Sequence, residues 1–192
     1  MQAVSQHLRN QQEDGIRNLY AYSQILLSIS TNEGRYATNG TQDKFWANWE
    51  EKFDGDTPDD RNRNDKEYRT CLHNLKNSKL VETEKNRLFD DRFRYVKRYF
   101  DELESVELQP VMQDVYLYGL CSPKRLMDFA FNFIIFDNGE KKIARYQQYF
   151  AVKKAMEQIR TLKHEKRMGG VIWHTQGSGK SLTMVMLAQA IA

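Results

Sequence analysis

The sequence predicts an α/β protein in which helices outnumber strands. Several segments repeat apolar residues at helical spacing, a segment near the N-terminus is rich in aromatic and β-branched residues, and the last segment reads as strand, glycine-containing loop and helix. With 192 residues, 40% hydrophobic and 29% charged, the chain can form one or two small folded domains. This composition excludes collagen-like, low-complexity and disulfide-scaffold proteins.

Composition also limits the compartment and the partners. No apolar run approaches the roughly 20 residues that a membrane-spanning helix needs, and the polar N-terminal segment lacks the apolar core of a signal peptide. We therefore expect a cytoplasmic protein with no membrane partner. The formal charge of +3 is too small to demand a polyanionic partner without local clustering of the basic residues.

The first part of the chain predicts a helix followed by a β-hairpin. Residues 1–18 are polar with a few apolar positions on one side, as in part of a surface helix. Residues 20–31 favour a strand, and a turn at 32–34 leads to a returning strand at 36–38. Residues 39–64 are rich in glycine, asparagine and aspartate and predict a loop around one short helix, in which Phe45, Trp46 and Trp49 need a core.

Amphipathic helices are predicted for much of the remainder. Apolar spacing predicts one helix that begins near Asp65 and another over 89–103. Ser122-Pro123 supplies an N-cap and a proline in the first turn of a third helix, which Asn138-Gly139 ends. A fourth helical pattern runs from 143 to 162 and ends in a basic stretch before two glycines.

Two basic stretches could contact nucleic acid. The first interleaves Phe93, Tyr95 and Tyr99 with the basic residues Lys85, Arg87, Arg92, Arg94, Lys97 and Arg98; the second contains Arg160, Lys163, Lys166 and Arg167. Phosphate contact requires the cations on one face. For the first stretch we favour the alternative of a solvated helix face, whose charge is balanced by Asp90, Asp91, Asp101 and Glu102.

The most specific signal is the segment VIWHTQGSGKS near the end of the sequence. A buried-type strand precedes its loop and an apolar helix follows, which is the setting of a phosphate-binding P-loop. In that setting Lys180 would reach the β- and γ-phosphates of ATP, and the Ser181 hydroxyl would bind Mg²⁺. His174 stands where the strict GxxxxGK[ST] pattern has its first glycine. The alternative, a merely flexible turn, does not explain the flanking strand and helix.

This C-terminal segment, RMGGVIWHTQGSGKSLTMVMLAQAIA, resembles motif I of superfamily 2 helicase-like motors. It is most similar to the restriction and translocation (R, or HsdR) subunit of type I restriction-modification enzymes, and residues 9–51 and 124–152 also resemble that subunit. The resemblance covers most of the chain but only a slice of a much larger protein. It implies that residues 1–139 are the distal, helix-rich part of a PD-D/ExK-type nuclease domain with a helical connector. Residues 140–192 would begin a RecA-like helicase/translocase domain.

The resemblance also implies site residues. The phosphate loop would comprise Thr175, Gln176, Gly177, Ser178, Gly179, Lys180 and Ser181. Gln148 matches the glutamine that recognises adenine in such motors, with Arg145 assisting; without the resemblance, Gln148 is a polar position on an amphipathic helix. Gln6 matches the glutamine of the nuclease QxxxY element, although Asn10 replaces the tyrosine. Lys180 and Gln6 are therefore the candidate catalytic residues, while the nuclease carboxylates and the Walker B acid cannot be assigned.

The implied activity is ATP-dependent translocation and Mg²⁺-dependent cleavage of unmodified double-stranded DNA. The implied cofactors are ATP and Mg²⁺, and the implied partners are DNA and the modification (methyltransferase) and specificity subunits of a type I complex. We expect the chain to be inactive by itself. Two alternatives stay open: a superfamily 2 helicase or remodeller with an unrelated N-terminal domain, and a noncatalytic module whose P-loop is vestigial.

Overall fold

The computed structural model describes residues 2–53, 57–163, 166–167, 169–173 and 175–192, except for the side chains of residues 163 and 166. The chain divides into two compact units, one of Met1–Lys52 with Tyr116–Ala192 and one of Phe53–Val115. Within the described ranges, every sheet is a two-stranded antiparallel hairpin. None of the described helices combines the length and the apolar character that spanning a bilayer requires.

The elements follow one another with short connections. In chain order they are α1 (Gln2–Asn10), α2 (Arg17–Tyr22), β1 (Leu26–Ile29), β2 (Gly34–Ala37), a 3₁₀ turn (Asp43–Phe45), α3 (Pro58–Lys76), α4 (Glu82–Leu88), a 3₁₀ turn (Asp91–Phe93), α5 (Arg94–Glu104), α6 (Met112–Cys121), α7 (Pro123–Asp128), a π turn (Phe129–Phe133), β3 (Ile134–Asp137), β4 (Glu140–Ile143), α8 (Tyr146–Arg160), β5 (Leu162–Lys163), β6 (Lys166–Arg167) and α9 (Lys180–Ile191). This helix-rich structure with small sheets is compatible with the predicted α/β class.

The N-terminal hairpin is confirmed, with β1 shorter than predicted. Leu26 pairs with Ala37 and Ile29 with Gly34. Residues 17–22 form α2 instead of extending the strand. The inner face of the hairpin packs with α1, α2 and Trp46 in one buried cluster, formed by Val4, Tyr20, Leu26, Ala37 and Trp46. Phe45, which the sequence places in a core with Trp46 and Trp49, is the last residue of the 3₁₀ turn and is 52% exposed.

In the unit formed by residues 53–115, α3 begins seven residues earlier than predicted. Thr57 caps it: its hydroxyl accepts from Asp60 N (3.2 Å), and Asp60 Oδ2 accepts from Thr57 N (3.3 Å). Pro58 occupies the first turn, so residues 58–64 are helix and not loop. The helix predicted over 89–103 is interrupted by the 3₁₀ turn before α5.

An ion-pair network joins α4 to α5. Lys85 is only 8% exposed, and its ammonium donates to Asp101 Oδ1 (2.9 Å) and Glu104 Oε2 (2.5 Å). Hydrogen bonds to Glu104 and Asp101 raise the pKa of Lys85, and the bond from Lys85 lowers the pKa of Glu104. The rings of Phe89 and Phe100 pack beside this network with their centroids 5.2 Å apart.

Aromatic side chains form the core of the unit that contains the C-terminal helix. Phe129 stacks on Tyr149 with centroids 4.9 Å apart and an interplanar angle of 12°. Trp49 meets both rings at 5.7 Å, and its backbone N donates to the Tyr116 hydroxyl (2.8 Å). Phe129, Phe133 and Trp49 are each no more than 4% exposed. This core fixes α8 at its N-terminal end, next to Gln148.

The third predicted helix is shorter than expected. It begins at Pro123 as predicted but ends in the π turn, and residues 134–137 form β3, which pairs with β4. Asn138 (φ 52°) and Gly139 (φ 81°) have the left-handed conformations of a tight hairpin turn. The Asn-Gly pair therefore connects two strands instead of ending a helix, and residue 143 belongs to β4 instead of the fourth helix.

The predicted strand VIWHT is wrong for the part that the structure describes. Residues 171–173 are not in a strand, and Val171 and Trp173 are 91% and 89% exposed. His174 lies outside the described residues. A buried parallel strand needs neighbours on both sides, and no described segment pairs with this one. The predicted domain boundary after residue 139 stays a prediction.

We expect replacement of Asp128 with asparagine to lower stability at neutral pH by about 1–2 kcal/mol. Burial disfavours the charged form, but hydrogen bonds from Lys153 Nζ (2.9 Å), Asn132 Nδ2 (2.9 Å) and the Tyr149 hydroxyl (3.0 Å) outweigh it and lower the pKa of Asp128. A lowered pKa stabilises the fold above the unfolded-state pKa of about 4, and this stability is lost as the pH falls further.

Thermal melts between neutral and strongly acidic pH would measure this effect. The Asp128→Asn variant should melt lower than the wild type at neutral pH, and the two melting temperatures should converge below the pKa of Asp128. Asp14→Asn, at an exposed position, is the matched control and should follow the wild type. Parallel curves for the wild type and Asp128→Asn across the acidic range would contradict the prediction.

Candidate nucleotide site

The loop before α9 contains the residues predicted to bind phosphate. Gly177 (φ 77°) and Gly179 (φ 80°) both have left-handed backbone conformations, which other residues rarely adopt. Between them, Ser178 donates from its N (3.3 Å) and from its hydroxyl (2.7 Å) to Thr175 O. Gly179 is the N-cap of α9, so the tight loop leads directly into the helix N-terminus.

Helix α9 is anchored on the side that carries Thr183 and Met186. Met186 is fully buried and Thr183 is 3% exposed. Thr183 donates from its N (3.1 Å) and its hydroxyl (3.3 Å) to Gly179 O, which ties the loop to the first turn of the helix. Farther along, the Gln189 amide donates to Phe131 O in the π turn. Contacts in the first turn and near the last turn therefore hold helix α9 in place.

Lys180 and Ser181 are the first two residues of α9, and both are exposed. In the described part of the chain, neither side chain has an ion-pair or hydrogen-bond partner. The first N–H groups of a helix have no intrahelical acceptor and carry partial positive charge. An ammonium group, a hydroxyl and free backbone N–H groups at one helix end are the donor set that suits a phosphate chain with a divalent cation.

Gln148 lies in the first turn of α8 and is 3% exposed. Its Oε1 accepts from Arg145 N (2.8 Å), while its Nε2 donates to Gly179 O (3.1 Å) and lies 3.4 Å from Ser178 O. The structure therefore brings Gln148 to the predicted loop, although about 30 residues separate them in sequence. No spacing pattern could have shown this contact. The Arg145 side chain is exposed, and adenine recognition by Gln148 and Arg145 stays a prediction.

The Gln148 contact also orients the loop backbone. Gly179 O points towards the Gln148 amide and Thr183. Because the peptide bond is planar and trans, the N–H of Lys180 points in the opposite direction from that carbonyl. The Lys180 N–H therefore points away from the Gln148 amide, and both Gln148 and Thr183 hold the carbonyl on the other side of that peptide.

Gln6, the candidate nuclease residue, lies apart from this loop. It is exposed on α1 and lines an open cavity of about 330 Å³ with Ser28, Glu33 and Arg35. None of the loop residues lines that cavity. Among the described residues, no group of three or more His, Cys, Asp or Glu is placed to hold a metal ion. The catalytic roles of Gln6 and of Lys180 stay predictions.

One protein family resembles the part of the chain that contains this loop. The model of the SWI2/SNF2 ATPase family matches residues 147–192, which include Gln148 and the whole loop. No solved structure matches the chain.

Several curated proteins match over longer stretches. The type I restriction enzyme HindI endonuclease subunit of Haemophilus influenzae is 36% identical over 109 residues, 53% of this chain and 10% of that protein. Two putative type I restriction enzyme endonuclease subunits of Methanocaldococcus jannaschii also match. MjaIXP is 42% identical over 40% of this chain and 8% of that protein. MjaVIIIP is 32% identical over 57% of this chain and 10% of that protein. The chain thus spans about a tenth of the length of these relatives. In these stretches the chain is similar to endonuclease subunits of type I restriction enzymes.

Proposed function

We propose that the loop and the first turn of α9 bind the phosphates of ATP together with Mg²⁺. The supporting observation is that Lys180 and Ser181 have no ion-pair or hydrogen-bond partner among the described residues and lie at the N-terminus of an anchored helix, directly after two left-handed glycines. The ammonium of Lys180 neutralises charge on the β- and γ-phosphates, and the hydroxyl of Ser181 supplies one oxygen ligand to the metal. When bound, Mg²⁺ stabilises the negative charge that develops on the phosphoryl group.

Gln148 acts as the support of this site. Its amide holds the Gly179 carbonyl away from the ligand side, so that the N–H of Lys180 and the following helical N–H groups can face phosphate oxygens. Preorganised donors of this kind need no reorientation when charge develops on the phosphate. Adenine recognition would be a second role of Gln148, with the exposed Arg145 side chain assisting.

For the whole protein, we infer an ATP-driven translocase and Mg²⁺-dependent nuclease that acts on unmodified double-stranded DNA. This inference is supported by the names of the relatives, which are endonuclease subunits of type I restriction enzymes, and by the ATPase family match. In such a protein residues 1–139, with Gln6, belong to the nuclease domain and its connector. Residues 140–192 begin a RecA-like motor domain, and the modification and specificity subunits are the partners.

A superfamily 2 remodeller is a second candidate, because the family match is described as SWI2/SNF2 ATPase. The restriction subunits match 83 to 116 residues of this chain, a longer stretch than the ATPase model covers. We therefore favour the restriction function. Cleavage of unmodified DNA by the longer protein would separate the two candidates, because a remodeller translocates without cutting.

A binding measurement on the chain tests the nucleotide proposal. We expect ATP with Mg²⁺ to bind and raise the melting temperature, and Lys180→Ala to weaken that affinity about tenfold or more, because a charge-assisted bond to phosphate is lost. Lys124→Ala removes another exposed lysine in the same compact unit and should leave the affinity unchanged. Calorimetric titration with ATP, and with AMP for comparison, measures both effects.

Ser181→Ala separates the metal contribution from the phosphate contribution. This variant should lose the gain in affinity that Mg²⁺ gives, while it keeps the metal-free affinity for ATP. The proposal is wrong if Lys180→Ala binds ATP as tightly as the wild type does, or if AMP binds as tightly as ATP. Either result would favour a vestigial loop in a noncatalytic module.

A further inference from the structure

One side of α5 presents two tyrosines and two arginines to solvent. Tyr95 and Tyr99 are 77% and 62% exposed, and the side chains of Arg94 and Arg98 are 82% and 88% exposed. Residues four apart lie one turn apart on the same face of a helix, so the arginines and the tyrosines form two adjacent rows. These four residues are referred to below as the α5 face.

Buried packing does not account for these tyrosines. The opposite side of α5 carries Phe100, which packs on Phe89 with centroids 5.2 Å apart. That contact, with the Lys85 network, attaches α5 to α4. The α5 face therefore does not contribute to the packing of α5 on α4. Large exposed aromatic side chains beside cations are typical of binding surfaces.

Several acidic residues that could neutralise the α5 face are engaged elsewhere. Asp101 accepts from buried Lys85 (2.9 Å), as does Glu104. The Asp90 side chain accepts from Arg92 N (3.2 Å) and caps the 3₁₀ turn. The neutralisation expected from the sequence, which counted Asp90 and Asp101, is thus smaller in the folded protein.

The two remaining acidic residues form weak pairs with the α5 face. Asp91 lies 3.4 Å from Arg94 and Glu102 lies 3.2 Å from Arg98, with the carboxylate side chains 97% and 63% exposed. Ion pairs at such exposure contribute at most about 1 kcal/mol. A backbone phosphate can replace them, because it too carries a negative charge and two oxygens that accept from a guanidinium group.

We propose that the α5 face binds a single nucleic-acid strand, with Tyr95 and Tyr99 stacking on unpaired bases and Arg94 and Arg98 contacting phosphates. Aromatic side chains interleaved with cations are the combination that single-strand binding proteins use, because every base offers a stacking face while the backbone offers charge. The proposal does not rest on the nucleotide function. The loop residues belong to the other compact unit, and strand binding needs no ATP.

Fluorescence anisotropy with a labelled oligothymidylate of about 20 nucleotides, without nucleotide, tests the proposal. Tyr95→Ala/Tyr99→Ala should bind the strand at least tenfold more weakly than the wild type, because two stacking contacts are lost. Arg94→Ala/Arg98→Ala should reduce the slope of log K against log salt concentration by about 1.4, since each lost phosphate contact on a single strand accounts for about 0.7. A duplex of equal length should bind more weakly, and the tyrosine changes should not affect it.

One matched variant controls for surface charge and surface aromatics, and a second tests the role of the acidic partners. Arg17→Ala/Tyr22→Ala removes one exposed arginine and one exposed tyrosine from the other unit and should bind as the wild type does. Asp91→Asn/Glu102→Gln should bind more tightly, because it frees both guanidinium groups. Since all these side chains are exposed, the melting temperatures should match, which verifies folding. Unchanged strand affinity in the tyrosine variant, or duplex binding as tight as strand binding in the wild type, would overturn the proposal.

Discussion

Replacing Phe129 with alanine should destabilise its compact unit by about 3–5 kcal/mol, a large part of the stability of an ordinary domain. Phe129 has no exposed surface, and its ring touches three aromatic partners: Tyr149 at 4.9 Å and both Trp49 and Phe133 at 5.7 Å between centroids. Truncation removes this apolar area and leaves a cavity that stiff neighbouring rings cannot fill.

Phe131 provides a matched control in the same turn. It is 64% exposed, and its backbone carbonyl accepts a hydrogen bond from the Gln189 amide. Phe131→Ala should therefore cost less than about 0.5 kcal/mol, as exposed substitutions do. Urea unfolding followed by tryptophan fluorescence compares the two variants, because Trp49 lies in the core itself. Similar midpoints for Phe129→Ala and Phe131→Ala would show that the aromatic cluster does not carry the stability of this unit.

Helix α9 and the N-terminal hairpin are two elements that the sequence predicts well. Helix α9 follows the glycine loop as predicted, because glycines before it and regular apolar spacing after it are local signals. The N-terminal hairpin is predicted for a similar reason, since a turn at 32–34 separates two β-prone segments. Both elements depend on residues close in sequence, and distant contacts only adjust their ends.

The second hairpin was missed because its signals are ambiguous. The apolar run FNFIIF fits a helix face or a buried strand equally well, and an Asn-Gly pair can end a helix or join two strands. What decides is the tertiary environment: Ile134 and Ile135 are each 7% exposed where β3 pairs with β4. The predicted strand at 171–173 failed for the opposite reason, because a parallel strand depends on neighbours distant in sequence.

In the candidate site, too, the sequence predicts the residues that are adjacent in the chain but not the contact between distant ones. Residues 175–181 are recognised from their order in the sequence, and the structure gives two of their glycines the left-handed conformations that such a loop requires. The role of Gln148 as a support of that loop depends on packing of α8 against α9, for which an isolated glutamine provides no pattern. Sequence can therefore identify the proposed donors to phosphate but not the side chain that contacts their loop.

Replacing Gly179 with alanine should cost about 2–4 kcal/mol and remove binding of ATP with Mg²⁺. The backbone at φ 80° is unfavourable for any residue with a Cβ, by about 1–2 kcal/mol. In addition, the new Cβ would lie 2.6 Å from Gln148 Nε2. That amide cannot move freely, because Gln148 is buried and bonded to Arg145 N and Gly179 O. Relief of the collision breaks these bonds, at about 1 kcal/mol each, and releases the loop.

Gly177 and Gln148 allow the two contributions to be separated. Gly177 has a similar φ of 77°, but a Cβ there meets no atom within 4 Å, so Gly177→Ala should cost only the backbone term of about 1–2 kcal/mol. In a Gln148→Ala background the collision partner is absent, and Gly179→Ala should then cost no more than Gly177→Ala does. Urea unfolding and ATP titration of the four variants measure this coupling. Equal costs for the two glycine substitutions in the presence of Gln148 would mean that its amide yields without loss, and that the loop keeps its conformation through its own glycines and Thr183.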